Sequence, residues 1–364
     1  MPELVWAMHR DFPPASASGP LPWLASLDAF AGPADAGPLR AMAGAFAAQV
    51  DAGSPAAADT LSRFRWLAAI TGCDVVVGKL FEPHLDALSI VEELGPPYPV
   101  LADGLGLASE AFWAVWAAEG PGQLAASQAD DGSWHLTGRK SWCSGAARVD
   151  AALVSARDAA GLSRLFAVST KSAGIRITDE GWAAVGMAQT QSVDVLFDGV
   201  PAAPVGGAGS YVERIGFWHG AAGIAACWHG AAVAIAQPLR VRAGRKTQQA
   251  DPFLLAALGA VDTALTASAL ALRDAASAID AHRRGGRAFG RREAQCLRAT
   301  VEASAQSVID HTGRALGAAP LCRDATHARR VGDLTVFLRQ SHAERDLAAL
   351  GASVALEGDG PWML

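Results

Sequence analysis

Apolar residues recur at spacings of three and four along most of the chain and change to alternation only in its middle. Leu39 to Val50 and Asp59 to Thr71 each carry one apolar stripe, which predicts two amphipathic helices, the second with Asp59 as N-cap. A third helix is predicted over Val75 to Leu94, stopped by Gly95, Pro96 and Pro97 and kinked or broken at Pro83. Residues 1–35, rich in Pro, Ala, Ser and Gly, read as an irregular lead-in.

In the middle, Asp130, Asp131 and Gly132 mark a turn between extended segments, and "SWHLTGRKSWCS" alternates as a half-buried strand pair does. Shorter strands follow at Ala151 to Ala156, Arg164 to Ser169, Ile175 to Ile177 and Ser192 to Phe197, so this region reads as a small antiparallel barrel or sandwich. Beyond the linker marked by Gly206, Gly207 and Gly209, four long helices are predicted: Val212 to Ala236, Asp251 to Arg284, Arg291 to Leu316 and His327 to Leu350. The first is apolar nearly all round and belongs in the centre of a bundle. His219 and His229 interrupt it, which argues for a buried helix over a membrane span.

Length and charge narrow the picture. The 364 residues suffice for two or three structural units. A net charge of −6 with 18% charged residues gives no bulk attraction to nucleic acid or to an anionic membrane. The opening "MPELVWAMHRDFPP" lacks the basic and apolar regions of a secretory signal, so a cytoplasmic protein is expected. Cys73, Cys143, Cys227, Cys296 and Cys322 show no zinc-site spacing and read as free thiols; no metal is expected.

Two motifs in the β region carry a resemblance. Gly138, Lys140, Trp142 and Ser144, then Gly186, Met187, Thr190, Ser192, Val195, Phe197 and Val200, resemble the middle domain of the acyl-CoA dehydrogenase family. The resemblance implies an α+β multidomain fold: an N-terminal α-helical domain (1–108), a middle antiparallel β-barrel domain (109–205) and a C-terminal four-helix bundle (206–364). It also implies FAD between the β domain and the bundle, an acyl-CoA or other acyl thioester substrate, an electron-transfer partner of unknown identity, and a homodimer or homotetramer.

Site residues follow from the resemblance position by position. Trp142 and Ser144 match the flavin-edge motif, and Glu119 matches the Glu of a flavin-binding loop whose Thr is replaced here by Ala118. Arg240 with Gly244 matches a pair whose Arg reaches the flavin pyrophosphate across a subunit contact, although "RVRAGRK" reads equally as a solvated basic turn. Gly317 falls near a glycine-rich turn of the family. The "EPHLDAL" run resembles an "E.H..A" stretch, with His84 either facing the flavin pocket or packing at the proline.

Dehydrogenation of an acyl thioester needs a carboxylate base for the α-proton, with hydride passing to the flavin. Where many relatives carry a Glu on the last long helix, counting from Asp333 reaches Ser341. Other relatives place the base just before an Arg at the start of the first bundle helix. Glu213 holds that place here as the candidate catalytic base, with Arg214 beside it as candidate substrate-binding residue. A Glu there is equally explained by the helix macrodipole. Three functions stay open: an FAD-dependent acyl thioester dehydrogenase, a flavin monooxygenase on the same fold, favoured by Ser144, Ser341 and His342, and a non-catalytic relative.

Overall fold

The computed structural model describes residues 39, 40, 43, 44, 59–244, 251–286, 288–356 and 362. The lead-in lies outside these residues, as does most of the expected first helix, of which Leu39, Arg40, Ala43 and Gly44 are helical.

Helix α1 (Thr60–Cys73) starts at Asp59, whose carboxylate accepts the Ser62 N–H at 2.9 Å. Helix α2 (Val75–Leu94) starts at Asp74, which accepts the N–H groups of Val76 and Val77, and ends at Gly95. The break expected at Pro83 is absent. Leu80, Phe81, Pro83, His84 and Leu85 are all buried, and packing around the proline holds the helix through the lost hydrogen bond. His84 serves this packing: its Nδ1 accepts the Trp113 N–H at 3.2 Å, and its ring stacks on Phe112 with centroids 4.4 Å apart. Burial pushes its pKa down to about 3, so it stays the neutral acceptor. A short helix, α3 (Tyr98–Gly104), follows.

Strands β1 (Trp113–Trp116), β2 (Leu124–Gln128), β3 (Trp134–Cys143), β4 (Ala151–Arg157), β5 (Ser163–Ser169), β6 (Ile175–Ile177) and β7 (Val193–Pro204) form one sheet. Its order, β1-β4-β2-β3-β7-β5, closes through a β4–β5 pairing, with β6 added on β7. Most pairs are antiparallel, as expected from the alternation. The exceptions are β1, which runs parallel to β4 from Trp113↔Ala151 to Trp116↔Val154, and the single parallel bridge Ala125↔Arg157 between β2 and β4. Leu136, Val154, Phe166, Val195 and Val200 fill the interior of this closed barrel, all fully buried.

After the barrel come α4 (Ser210–Glu213), α5 (Gly216–Gly244), α6 (Pro252–Arg283), α7 (Arg291–Leu316), α8 (Ala319–Arg323), α9 (Ala325–Phe337) and α10 (Glu344–Leu356). Two expectations are corrected. The first long helix begins at Gly216, because Arg214 is extended (ψ 146) and cuts off the single turn α4. The fourth is two helices, parted at a 3-10 turn (Leu338–Gln340), the extended Ser341 and Ala343 at φ 44.

Helix α5 crosses α1 at bare backbone: a Cβ on Gly230 would overlap the Ala68 carbonyl. Gly186, in the loop before β7, meets the backbone of Gly332 on α9 in the same way, which presses the barrel onto the C-terminal helices. By length and composition α5 and α6 could each cross a membrane; α5 is mostly buried in the chain, whereas α6 leaves Phe253, Leu255 and Leu270 exposed.

Candidate flavin-edge site

The end of β3 is where the candidate residues gather. A register shift between Lys140 and Cys143 breaks the alternation, and Trp142 takes a left-handed φ of 60°. Its indole is thereby turned outward, 46% exposed, between the buried Ser141 and Cys143. A bulky residue in that region of backbone is costly, so the surrounding structure must hold it there. Two contacts do so: Cys143 Sγ donates to the Lys140 carbonyl at 3.2 Å, and Trp116 Nε1 donates to the Ser144 carbonyl at 3.1 Å.

Ser144 heads a chain of hydroxyl groups. Its Oγ lies 2.7 Å from Ser192 Oγ, which lies 2.9 Å from Thr190 Oγ1, and Thr190 donates to the Met187 carbonyl at 2.8 Å. Each hydroxyl has one proton, so the carbonyl at the end fixes the direction: Ser192 donates to Thr190, and Ser144 to Ser192. Ser144 is left presenting lone pairs, an acceptor for an N–H.

Asp333 anchors the loop that carries Thr190 and Ser192, accepting the Met187 N–H at 2.5 Å. Burial raises the Asp333 pKa, opposed chiefly by that hydrogen bond. Arg148 donates to the Gln189 carbonyl at 2.6 Å from the other side. Burial holds the Cys143 thiol protonated, so it packs and is no nucleophile.

The loop 117–123 forms the rim beside Trp142. A Cβ on Gly120 would stand 2.8 Å from Ser141 Cβ and 3.6 Å from Trp142 Cε3, so only glycine lets the loop lie this close. Ser141 Oγ is buried there without a hydrogen-bond partner. Glu119 belongs to this loop but turns outward, pairing with Arg157 at 2.8 Å with both side chains exposed.

Other candidates stand apart. Arg240 is exposed near the end of α5 and donates to Gln237 on its own helix at 3.0 Å. Gly317, at φ 69, closes α7, with open space where a side chain would be. Glu213 is exposed at the end of α4, and its carboxylate forms no ion pair with a described residue. Arg214 turns inward instead, with its side chain 1% exposed, to Asp86 at 2.9 Å and Glu93 at 3.0 Å. Two carboxylates from α2 thus occupy the guanidinium. Ser341 is buried at the helix break, where its Oγ accepts the Ala343 N–H. His342 beside it is exposed, 3.5 Å from Asp346.

The described residues form no three-membered metal-ligating cluster, and all five cysteines are free.

The sequence motif singles out Trp142 and Ser144, which the structure brings together at the end of β3, and does not single out the groups under the helices. Glu82 on α2 is 6% exposed, and its pKa is pushed up to about 7, first by burial and then by Asp86. A carboxylate inside a predicted helix, in an otherwise apolar turn, was the available signal.

Comparison with known proteins completes the picture. Residues 121–200 match the family model described as acyl-CoA dehydrogenase, middle domain. No curated protein sequence matches the chain. Among solved structures, dibenzothiophene monooxygenase (TdsC) from Paenibacillus sp. A11-2 superposes with a TM-score of 0.70 at 18% identity, covering 88% of this chain and 89% of that one. Butyryl-CoA dehydrogenase from Megasphaera elsdenii gives 0.71 at 17% identity over 82% of each chain. KijD3, solved in complex with dTDP, gives 0.74 at 19% identity over 94% of this chain and 98% of that one. Residues 121–200 thus match an acyl-CoA dehydrogenase middle domain, and the chain shares the fold of these solved structures.

Proposed function

We propose that the chain is a flavin-dependent oxidoreductase, and that it works as an oxygenase rather than as an acyl thioester dehydrogenase. The observation that carries the second half is the state of the two base positions: Ser341 has no carboxylate, and Glu213 is exposed with the buried Arg214 turned the other way. A base for an α-proton must sit against the substrate in a water-poor site. The fold is shared with a monooxygenase over 88% of this chain and with butyryl-CoA dehydrogenase over 82%, and so is compatible with either reading.

The residues present fit a flavin. Trp142 offers an aromatic face, Gly120 and Gly122 let the rim loop pack directly on β3 beside it, and Ser144 offers an acceptor two residues on from the indole. Bound flavin supplies two-electron chemistry that no side chain here provides. An acceptor at Ser144 favours a ring nitrogen that bears hydrogen, as in the reduced cofactor, and this suits an enzyme that receives its flavin reduced. Related structures were solved with FMN or with FADH2, so both FMN and FAD are candidates.

The dehydrogenase reading retains one specific support, the match of residues 121–200 to the acyl-CoA dehydrogenase middle domain. An anaerobic visible spectrum decides between the two. The flavin-loaded protein is expected to stay yellow with a panel of acyl-CoAs, and to consume oxygen once the flavin is reduced. Bleaching by an acyl-CoA would restore the dehydrogenase, and failure to take up either flavin would leave a non-catalytic relative. We further propose assembly into a homodimer or homotetramer, supported by the exposed Phe253, Leu255 and Leu270 of α6.

A further inference from the structure

The rim loop beside Trp142 joins β1 to β2 at a place where no strand ladder carries it. Strand β1 stops pairing with β4 at Trp116↔Val154, one residue short of Ala117 and Ser155. Strand β2 takes up its pairing with β3 only at Leu124↔Gly138, and it meets β4 at the single bridge Ala125↔Arg157. Between these points the loop spans from β4 to β3 and must be held by other means. On the β3 side the contact is steric: a Cβ on Gly120 would stand 2.8 Å from Ser141 Cβ, and one on Gly122 would stand 2.7 Å from the Arg139 carbonyl oxygen. Ser141 Oγ, buried under both glycines, gives the loop no hydrogen bond. At the far end the Arg139 N–H donates to the Gln123 carbonyl at 2.9 Å.

The near end is held by a side chain that crosses from β3 to β4. Lys140 is buried, and its Nζ donates to Ser155 Oγ at 2.7 Å and to the Ser155 carbonyl at 3.1 Å. Ser155 Oγ in turn donates to the Ala117 carbonyl at 3.3 Å. An ammonium group has hydrogens to give and no lone pair, so Ser155 Oγ accepts from Lys140 and keeps its one proton for Ala117. The remaining side-chain tie, Glu119 to Arg157, is exposed on both partners and contributes little.

Lys140 thus stands two residues before Trp142 on the same strand and fixes the first residue of the loop that flanks the indole. We propose that Lys140 is a positioning residue for the flavin edge: its ammonium group, acting through Ser155, holds the rim loop beside Trp142, and flavin affinity depends on that charge. The effect on flavin rests on the flavin reading; the hold on the loop does not.

Among the described residues, the ionisable groups facing Lys140 are Cys143 on its own strand, Glu119 on the rim loop and Arg157 on β4. Burial brings the Lys140 pKa down to about 8, with Cys143 and Glu119 opposing and Arg157 adding to the fall. The ammonium form therefore prevails at neutral pH and is lost as pH rises through about 8. A neutral amine carries a lone pair that competes with the Ala117 carbonyl for the Ser155 proton. The loop is accordingly held on the acid side of that value and loosened on the alkaline side.

The test follows two quantities on the full chain across this pH range: hydrogen–deuterium exchange of the peptide spanning 117–123, referred at each pH to the unfolded chain, and the affinity for FMN and for FAD. In the wild type, loop exchange is expected to quicken and flavin affinity to fall by about tenfold as Lys140 loses its proton, the loss of one charge-assisted hydrogen bond. Lys140→Met and Ser155→Ala should show the quick exchange and the weak binding at every pH, with no step. Ser155→Thr, which keeps the hydroxyl, should restore both. If Lys140→Met does not fold, the two Ser155 variants decide. Loop exchange as slow in Ser155→Ala as in the wild type overturns the inference, as does a wild-type flavin affinity that stays flat through the titration. Flavin bound equally well beside a loosened loop overturns it while sparing the flavin reading. If neither flavin is taken up, the flavin reading falls, and loop exchange alone upholds or overturns the hold of Lys140 on the loop.

Discussion

Glu213 and Arg214 are adjacent in sequence and opposite in environment: the carboxylate stands in solvent, while the guanidinium is buried between Asp86 and Glu93. The extended backbone at Arg214 makes the division. Neighbouring residues with opposed surroundings should respond very differently to substitution.

Arg214→Met should lower stability by about 3 kcal/mol, because it leaves two carboxylates facing each other without their shared cation. Glu213→Gln should change it by less than about 0.5 kcal/mol, as a surface substitution does. Urea denaturation of both variants measures the contrast.

Trp142→Ala should leave the fold nearly as stable as before, since the indole is already 46% exposed and its backbone is strained. Flavin affinity should fall by about tenfold, the contribution of one aromatic contact. Trp142→Phe should retain most of it. Equilibrium binding followed by flavin fluorescence, beside a thermal melt, separates the two effects.

Ser192→Ala interrupts the hydroxyl chain between Ser144 and Thr190. The cost to stability is about 1 kcal/mol, for one buried hydrogen-bond partner removed. The cofactor preference should move with it. Freed of Ser192, the Ser144 proton can be donated to a ligand, so oxidised flavin should gain affinity relative to reduced flavin. Binding constants for the two redox states, measured anaerobically, give the answer.

Glu82 sets a pH dependence. Its proton affinity is raised to about 7 in the folded chain from an ordinary 4.5. Between those values the folded state holds a proton that the unfolded state has lost, so the stabilising difference is full below about 4.5 and disappears as pH rises to about 7. Glu82→Gln should therefore gain on wild type with rising pH, by up to about 3 kcal/mol at neutral pH and above. Denaturation midpoints of the two proteins across that range test the sign.

What could be read from the chain follows the reach of the forces involved. Asp59 as N-cap, Asp251 and Pro252 opening a helix, and the turn at Asp130 to Gly132 are local signals, and each stands where it was expected. Strand β1 was missed because four residues paired in parallel to a strand far along the chain leave no local mark. The division of the last helix was missed for a related reason: no glycine or proline stands at Ser341 to Ala343 to announce it. At the site, Trp142 and Ser144 were legible as a motif, whereas the hydroxyl chain depends on a loop brought back from Thr190 and Ser192. Glu82 was the least legible of all, since three helices distant in sequence make its surroundings.

The contact of Gly186 with Gly332 has a mechanical side. Two backbones that touch without side chains between them have no compressible layer, and Asp333 and Met187 bolt the same spot. The hydroxyl loop and helix α9 are therefore geared together: a turn of the helix moves Thr190 and Ser192, and anything that pulls on Ser144 is felt at the helix. The break around Ser341 follows the C-terminal end of that helix, close to Asp333, so events there reach the flavin edge through a short rigid lever rather than through the intervening core.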